Sequence, residues 1–187
     1  GLLKHLPKAN LVKSDFFKYP VENKFDVILL NPPYVRHHIL SDQKIDSYRK
    51  RNPEINILGK SADLWAYFMI KTVSHLKVNG SVGAILPWAF LQADYAVPLR
   101  SWLAERFGEI RYLLVLETEV KNFTAGAWMQ DAKAGLENFT KWKKIAVVSP
   151  EKGVQWFTDA FTFVTPGSAK GFSPDEIEEA KVWLTQD

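Results

Sequence analysis

The chain has 187 residues, of which 47% are hydrophobic, 13% aromatic and 24% charged, with a formal net charge of +3. Those values describe a globular chain with material for a real core and exclude intrinsic disorder. The absence of cysteine excludes disulfides, thiolate metal sites and cysteine nucleophiles, and it fits a cytoplasmic location. No run of roughly 18 apolar residues exists to span a membrane, and Gly1-Leu2-Leu3-Lys4-His5 lacks the apolar run of a secretory signal.

In chain order, Asn10-Leu11-Val12-Lys13 reads as a short strand, with Ser14-Asp15-Phe16-Phe17 at its end. Phe25–Leu30 is nearly all apolar and predicts a strand buried on both faces of a parallel sheet. Asn31-Pro32-Pro33-Tyr34 must end it, because two prolines cannot donate to a ladder. A helix is expected over Ser41–Arg51, ended by Pro53. Ser61 reads as the N-cap of a helix over Ala62–Lys77, and Asn79-Gly80 as its left-handed C-cap. A strand over Ser81–Leu86 stops at Pro87, and Asp94 caps a helix running to Phe107. Ile110–Leu116 follows as a strand.

This alternation predicts right-handed crossovers and a mostly parallel sheet with flanking helices. After residue 117 the rhythm weakens. Lys144–Val148 and Val154–Val164 read as strands, with an antiparallel hairpin as one arrangement open to them. Pro166-Gly167-Ser168 reads as a turn, and Ser173-Pro174-Asp175-Glu176 as a capping box opening a terminal helix through Leu184. The expected division is a catalytic portion over 1–116 and a divergent C-terminal portion over 117–187.

Asn31-Pro32-Pro33-Tyr34 is the sharpest chemical feature. In open α/β sheets, ligands bind beyond the carboxyl ends of the strands. Asn31 offers an acceptor oxygen and donor hydrogens, and Pro32 offers a carbonyl held stiffly by fixed φ angles. Together they present two acceptors to an exocyclic amino group. Tyr34 offers a flat face, and stacking of a base on such a face contributes roughly 1–3 kcal/mol. A strand-terminating turn is the plain structural alternative. Three further blocks accompany the tetrapeptide in order: Ser14–Phe17, Ser61–Phe68 (Ser-Ala-Asp-Leu-Trp-Ala-Tyr-Phe) and Leu76–Pro87.

Over roughly residues 8–116 these blocks resemble the catalytic half of class I S-adenosylmethionine-dependent adenine-N6 DNA methyltransferases of the restriction–modification type. The resemblance implies a partial Rossmann-like methyltransferase fold. It implies that Asp15 accepts from the adenine amino group of S-adenosylmethionine and that Phe16 packs on that adenine. It further implies that Asn31 and the Pro32 carbonyl hold the target amino group and that Pro33 shapes the wall between base and cofactor. Tyr34 would stack on a flipped adenine of double-stranded DNA, with Phe123 as a second aromatic beside it. No Gly-x-Gly cofactor loop occurs. The chain therefore reads as beginning partway through the domain, needing an N-terminal half and a target-recognition domain, and inactive alone. Two alternatives stay open: a methyltransferase acting on a glutamine amide or guanine N2, and a truncated, inactive domain that only binds nucleic acid or a partner chain.

The remaining polar features are plainer. Arg36, Lys44, Arg49, Lys50 and Arg51 read equally as a track for DNA phosphates or as a solvated helix face. His37-His38 reads as exposed loop histidines, and no metal site is expected. Trp65, Tyr67 and Phe68 read as helix core, while Trp88 and Phe90 lie after the Pro87 turn. Glu117 and Glu119 read as solvated.

Overall fold

Because prolines cannot donate to a ladder, β1, Phe25–Leu30, ends where Asn31-Pro32-Pro33 begins. It is the first strand in a computed structural model of the chain, which describes residues 12–22, 24–116, 142–152, 158 and 167–186. The elements that follow β1 are α1 (Asp42–Arg51), α2 (Leu64–Ser74), β2 (Leu76–Ala84), α3 (Ala89–Gln92) and α4 (Val97–Arg106). Then come β3 (Ile110–Val115), β4 (Trp142–Val148), β5 (Ser168–Phe172) and α5 (Ile177–Thr185). The architecture is mixed α/β with parallel pairing throughout the described strands. It divides into two units, Gly1–Pro87 and Trp88–Asp187. The division falls earlier than the expected boundary after residue 116, because β3 pairs with β4 and packs against α5. No helix among the described residues is long and apolar enough to cross a membrane.

In the first unit β1 pairs in parallel with β2. The expectation that β1 is buried on both faces does not hold: Val27 is 64% and Leu29 83% exposed. A two-stranded sheet offers too little cover for a strand this apolar. The core lies instead around α2, where Leu64–Tyr67 and Met69–Thr72 are buried on nearly every side of the helix. Phe17, from the 3-10 turn Phe16–Lys18, stacks on Tyr48 of α1 at 4.1 Å. Ile45, Ile55 and Leu58 complete this core. The helix expected over Ser41–Arg51 begins at Asp42, with Ser41 as its N-cap accepting from Lys44 N–H. The expected strand at residues 10–13 lies partly outside the described residues, and Val12 and Lys13 are not in a strand.

Two details of α2 differ from expectation. Asp63, not Ser61, occupies the N-cap position, and the helix stops at Ser74 rather than Lys77. The stop is set by the sheet: Phe25 N–H donates to the His75 carbonyl at 2.9 Å, and from Leu76 the backbone joins the ladder. Asn79-Gly80 therefore lies inside β2 and not at a helix end. There the register runs from Phe25↔Leu76 to Val27↔Ser81, so β2 bulges outward. Asn79 absorbs the bulge with φ 63°, a left-handed conformation that asparagine tolerates. Gly80 is needed beside it, since a Cβ would stand 3.0 Å from the Lys77 carbonyl oxygen and 3.1 Å from that of Asp26.

The second unit is a three-stranded parallel sheet in the order β3-β4-β5. Among the described residues, β4 and β5 pair in parallel and not as an antiparallel C-terminal hairpin. The connections over residues 116–141 and 149–167 are long enough for crossovers, which take roughly a dozen residues or more. The expected strand Val154–Val164 lies outside the described residues except Thr158, which is helical. Ala146, Val148, Phe172 and Ala180 form the core, with Leu113, Ile177, Trp183 and Leu184 packed on it. The C-terminal end of α5 is held by two cations. Lys144 Nζ donates to the Trp183 and Gln186 carbonyls at 3.0 and 2.7 Å, and Arg111 donates to the Leu184 carbonyl at 2.7 Å. Positive charge at a helix C-terminus complements its dipole. Asp94 opens a 3-10 turn rather than capping α4, which begins at Val97 with proline in its first turn.

The capping box before α5 forms as expected: Glu176 accepts from Ser173 N–H and Oγ at 2.7 and 2.8 Å. Those bonds, the backbone one first, hold the Glu176 carboxyl below its ordinary range. Ser173→Ala should lower the urea denaturation midpoint of this unit by the equivalent of about 1 kcal/mol. A depressed carboxylate stabilises above its unfolded pKa and loses that contribution as pH falls through its folded value. The difference between wild type and Glu176→Gln should therefore shrink on acidification. A midpoint unchanged in Ser173→Ala would show the box to be idle.

Candidate active site

Two parallel strands side by side release their chains at the same edge, and here the two exits are joined. Leaving β2, Ile85 N–H donates to the Leu30 carbonyl at 3.0 Å, and the Ile85 carbonyl accepts from the Tyr34 hydroxyl at 2.9 Å. Tyr34 is 51% exposed, so its ring is tethered at one end and open along its faces. Pro32 is buried while Asn31 and Pro33 are exposed. Val35 N–H donates to the Pro33 carbonyl at 3.0 Å, which tightens the turn. Among the described residues, no donor reaches the Pro32 carbonyl and no partner engages the Asn31 side chain.

The N-terminus of α2 holds the far side of this loop. Leu64 N–H donates to the Val35 carbonyl at 2.9 Å, and Asp63 Oδ1 accepts from His37 N–H at 2.8 Å. The Asp63 carboxylate therefore braces the loop and does not cap its own helix. Its Oδ1 also lies 3.4 Å from His37 Nδ1. No cluster of three metal-ligating side chains exists among the described residues.

Asp15 and Phe16 open the 3-10 turn Phe16–Lys18, and Phe16 packs against α2 at Phe68. Asp15 Oδ1 accepts from Phe17 N–H at 3.0 Å, and so caps the 3-10 turn. The Phe16 ring stacks on Phe68 at 5.2 Å and stands 5.6 Å from the His75 ring. Asn31–His37 meets the first turn of α2, whereas Phe16 meets Phe68 in its second turn and His75 at its C-cap. For S-adenosylmethionine the donor set fits in part: an exposed carboxylate and a half-buried aromatic ring suit an adenine, and the ring already has protein neighbours. Phe123, Glu117 and Glu119 lie outside the described residues.

The other aromatic and basic residues sort by burial. Trp65 and Tyr67 are core, each 1% exposed, and the Tyr67 hydroxyl donates to the Gly59 carbonyl at 2.7 Å. Burial pushes the Tyr67 phenol up, with Arg49 opposing, so it stays neutral and a donor. Phe90 is buried and Trp88 exposed, both within the second unit. Of the basic segment, Arg49 donates to the Leu58 carbonyl, while Arg36, Lys44, Lys50 and Arg51 are exposed.

The Eco57I restriction-modification methylase family matches residues 4–123, and the SpoIIAA-like family matches residues 89–185. The chain belongs to the first family over its N-terminal part and to the second over its C-terminal part. The second match begins next to the division at Pro87 and Trp88. Among similar proteins is the type II methyltransferase M.PaeR7I of Pseudomonas aeruginosa, 32% identical over 108 residues, covering 58% of this chain and 18% of that protein. Another is the type II methyltransferase M.AccI of Acinetobacter calcoaceticus, 27% identical over 115 residues, covering 62% and 21%. The type II restriction enzyme and methyltransferase RM.Eco57I of Escherichia coli is 33% identical over 85 residues, covering 44% and 8%. The chain spans about a fifth or less of the length of these relatives.

Sequence reasoning missed the brace formed by Asp63 and the tether formed by Ile85. The signal for Asp63 lay within Ser-Ala-Asp-Leu-Trp; Ile85 acts through backbone groups and left none. Asp63→Ala should lower the stability of the first unit by about 1 kcal/mol and speed hydrogen exchange at the His37 amide. Asp63→Asn, which keeps an acceptor oxygen, should restore most of both. Exchange at His37 that is insensitive to Asp63→Ala would refute the brace.

Proposed function

We propose that this chain supplies the base-binding edge of an enzyme that methylates the N6 amino group of adenine in DNA, with S-adenosylmethionine as methyl donor. The observation that carries this reading is the exposed Asn31 side chain beside the unbonded Pro32 carbonyl, next to a half-exposed Tyr34 tethered by its hydroxyl. Asn31 and the Pro32 carbonyl would accept both hydrogens of the amino group and turn its lone pair outward. Tyr34 would stack on the extruded base and offset the few kcal/mol that flipping costs. Pro33 would separate base from cofactor. Asp15 would accept from the cofactor's adenine and Phe16 would pack on it. When bound, S-adenosylmethionine would supply an electrophilic methyl on a sulfonium sulfur, which leaves as a neutral thioether when its bond to the methyl breaks. The chain's residues therefore orient and hold, and water takes the released proton. Double-stranded DNA is the substrate in this reading, and further parts of the methyltransferase complete the cofactor and target-recognition sites.

In the smallest protein that contains this chain and methylates DNA, Asn31→Ala should reduce N6-methyladenine by about 100-fold or more, measured by mass spectrometry of digested DNA. Tyr34→Phe, which keeps the ring but loses the tether, should lower activity in part, and Tyr34→Ala should lose it. Product found on glutamine or on guanine N2, or full activity in Asn31→Ala, would sink the assignment. Calorimetry of the 187-residue chain should show S-adenosylmethionine binding weaker than micromolar, since the chain has no Gly-x-Gly loop to complete the cofactor site.

A domain that binds a partner without catalysis is the second reading. The exposed Val27 and Leu29 of β1 and the SpoIIAA-like second unit favour it. Micromolar cofactor binding by the chain alone would count against it.

A further inference from the structure

The second half of α2 carries a lysine that the methyl-transfer reading does not use. Lys71 is 1% exposed on a helix that is buried on nearly all sides. Its ammonium donates to the Tyr19 carbonyl at 2.9 Å and stands 5.8 Å from the centre of the Phe16 ring. An ammonium has three donors, and among the described residues Tyr19 supplies its sole hydrogen-bond acceptor. A buried charge is ordinarily paired. Lys71 instead lines a cavity of about 270 Å³, open on one side, together with Lys18, Tyr19, Arg51, Asn52 and Glu54. Asn52, 3% exposed, builds the wall by donating to the Phe17 and Tyr48 carbonyls at 3.1 and 2.9 Å. Burial holds the Lys71 ammonium below the usual lysine range, and Glu54 pulls it partly back.

Three cations and one carboxylate face this cavity, so its charge is positive with Glu54 counted. Its volume falls just short of the ~300–1,000 Å³ typical of sites for drug-sized ligands, which suits a small anion better than a whole nucleotide. We propose that the cavity binds a phosphate group, with Arg51 and Lys18 at the rim and Lys71 at the floor. Phosphate presents several oxygens, which an ammonium and a planar guanidinium can engage together. It comes either from a free phosphate or monoester or from the backbone of a nucleic acid, and both present the same oxygens. Lys71 is roughly 10 Å along α2 from Leu64, so the site is separate from the Asn31–Tyr34 edge and does not rest on the methyl-transfer reading.

The test uses the 187-residue chain with inorganic phosphate in low-chloride buffer, followed by calorimetry, and with a short DNA duplex, followed by fluorescence anisotropy. Arg51→Gln and Lys71→Met should each weaken binding about fivefold or more. Glu54→Gln should tighten it about twofold or more, because a like charge is removed. Circular dichroism establishes which variants fold; Arg51 and Glu54 lie on the more exposed wall, so their variants carry the test if Lys71→Met does not fold. Saturable phosphate binding with these shifts assigns a free phosphate or monoester when duplex does not compete. Duplex binding with the same shifts assigns a backbone phosphate. Binding of neither probe, or binding that Arg51→Gln and Glu54→Gln leave within twofold, overturns the proposal.

Discussion

The double use of Ile85 is the constraint from which the candidate site follows. Its N–H closes the last rung beyond β1, and its carbonyl receives the Tyr34 hydroxyl. The loop after β1 therefore has no freedom to swing away from the edge. Pro32 and Pro33 add fixed φ angles, and α2 adds the bonds from Leu64 N–H and to Asp63 Oδ1 on the other side. A short polar loop held at three places costs little further entropy when a ligand settles on it, which is the physical content of preorganisation. Asn31 is left with an exposed side chain at the centre of this frame.

α2 is the second organising element. Burial on nearly every side makes it the core of the first unit, in place of the two-stranded sheet that cannot cover itself. It meets the Asn31–His37 loop with its first turn and the aromatic group of Phe16, Phe17 and Tyr48 further along. A single helix thus packs against both groups of expected site residues. It also carries Lys71 into the interior, where the Tyr19 carbonyl and the face of Phe16 offset only part of the desolvation.

The second unit solves a different packing problem. Its parallel strands need cover, and α5 supplies it through Ala180, Ile177 and Trp183. Lys144 and Arg111 then close the end of α5 by donating to its last carbonyls, so that charged side chains on the strands stabilise the helix that covers them. Residues 89–123 fall within both family matches, and the part of that stretch described here ends in β3, which pairs with β4.

Local chemistry was legible in the sequence. Prolines ended β1, Ser173 and Glu176 formed their box, and alternating strands and helices implied parallel pairing. Asn31-Pro32-Pro33-Tyr34 was readable for the same reason, since its stiffness and its acceptors belong to four adjacent residues. Competition between distant partners was not readable. Asn79-Gly80 has the left-handed preference that ends a helix, yet the ladder with β1 drew it into a strand bulge. Asp63 gave its carboxylate to a loop 26 residues away. The unit boundary, the exposure of Val27 and Leu29 and the burial of Lys71 were likewise decided only in three dimensions. Backbone stiffness and capping act over a few residues and are written in order along the chain; burial and pairing depend on which surfaces meet, and no short stretch of sequence contains both sides.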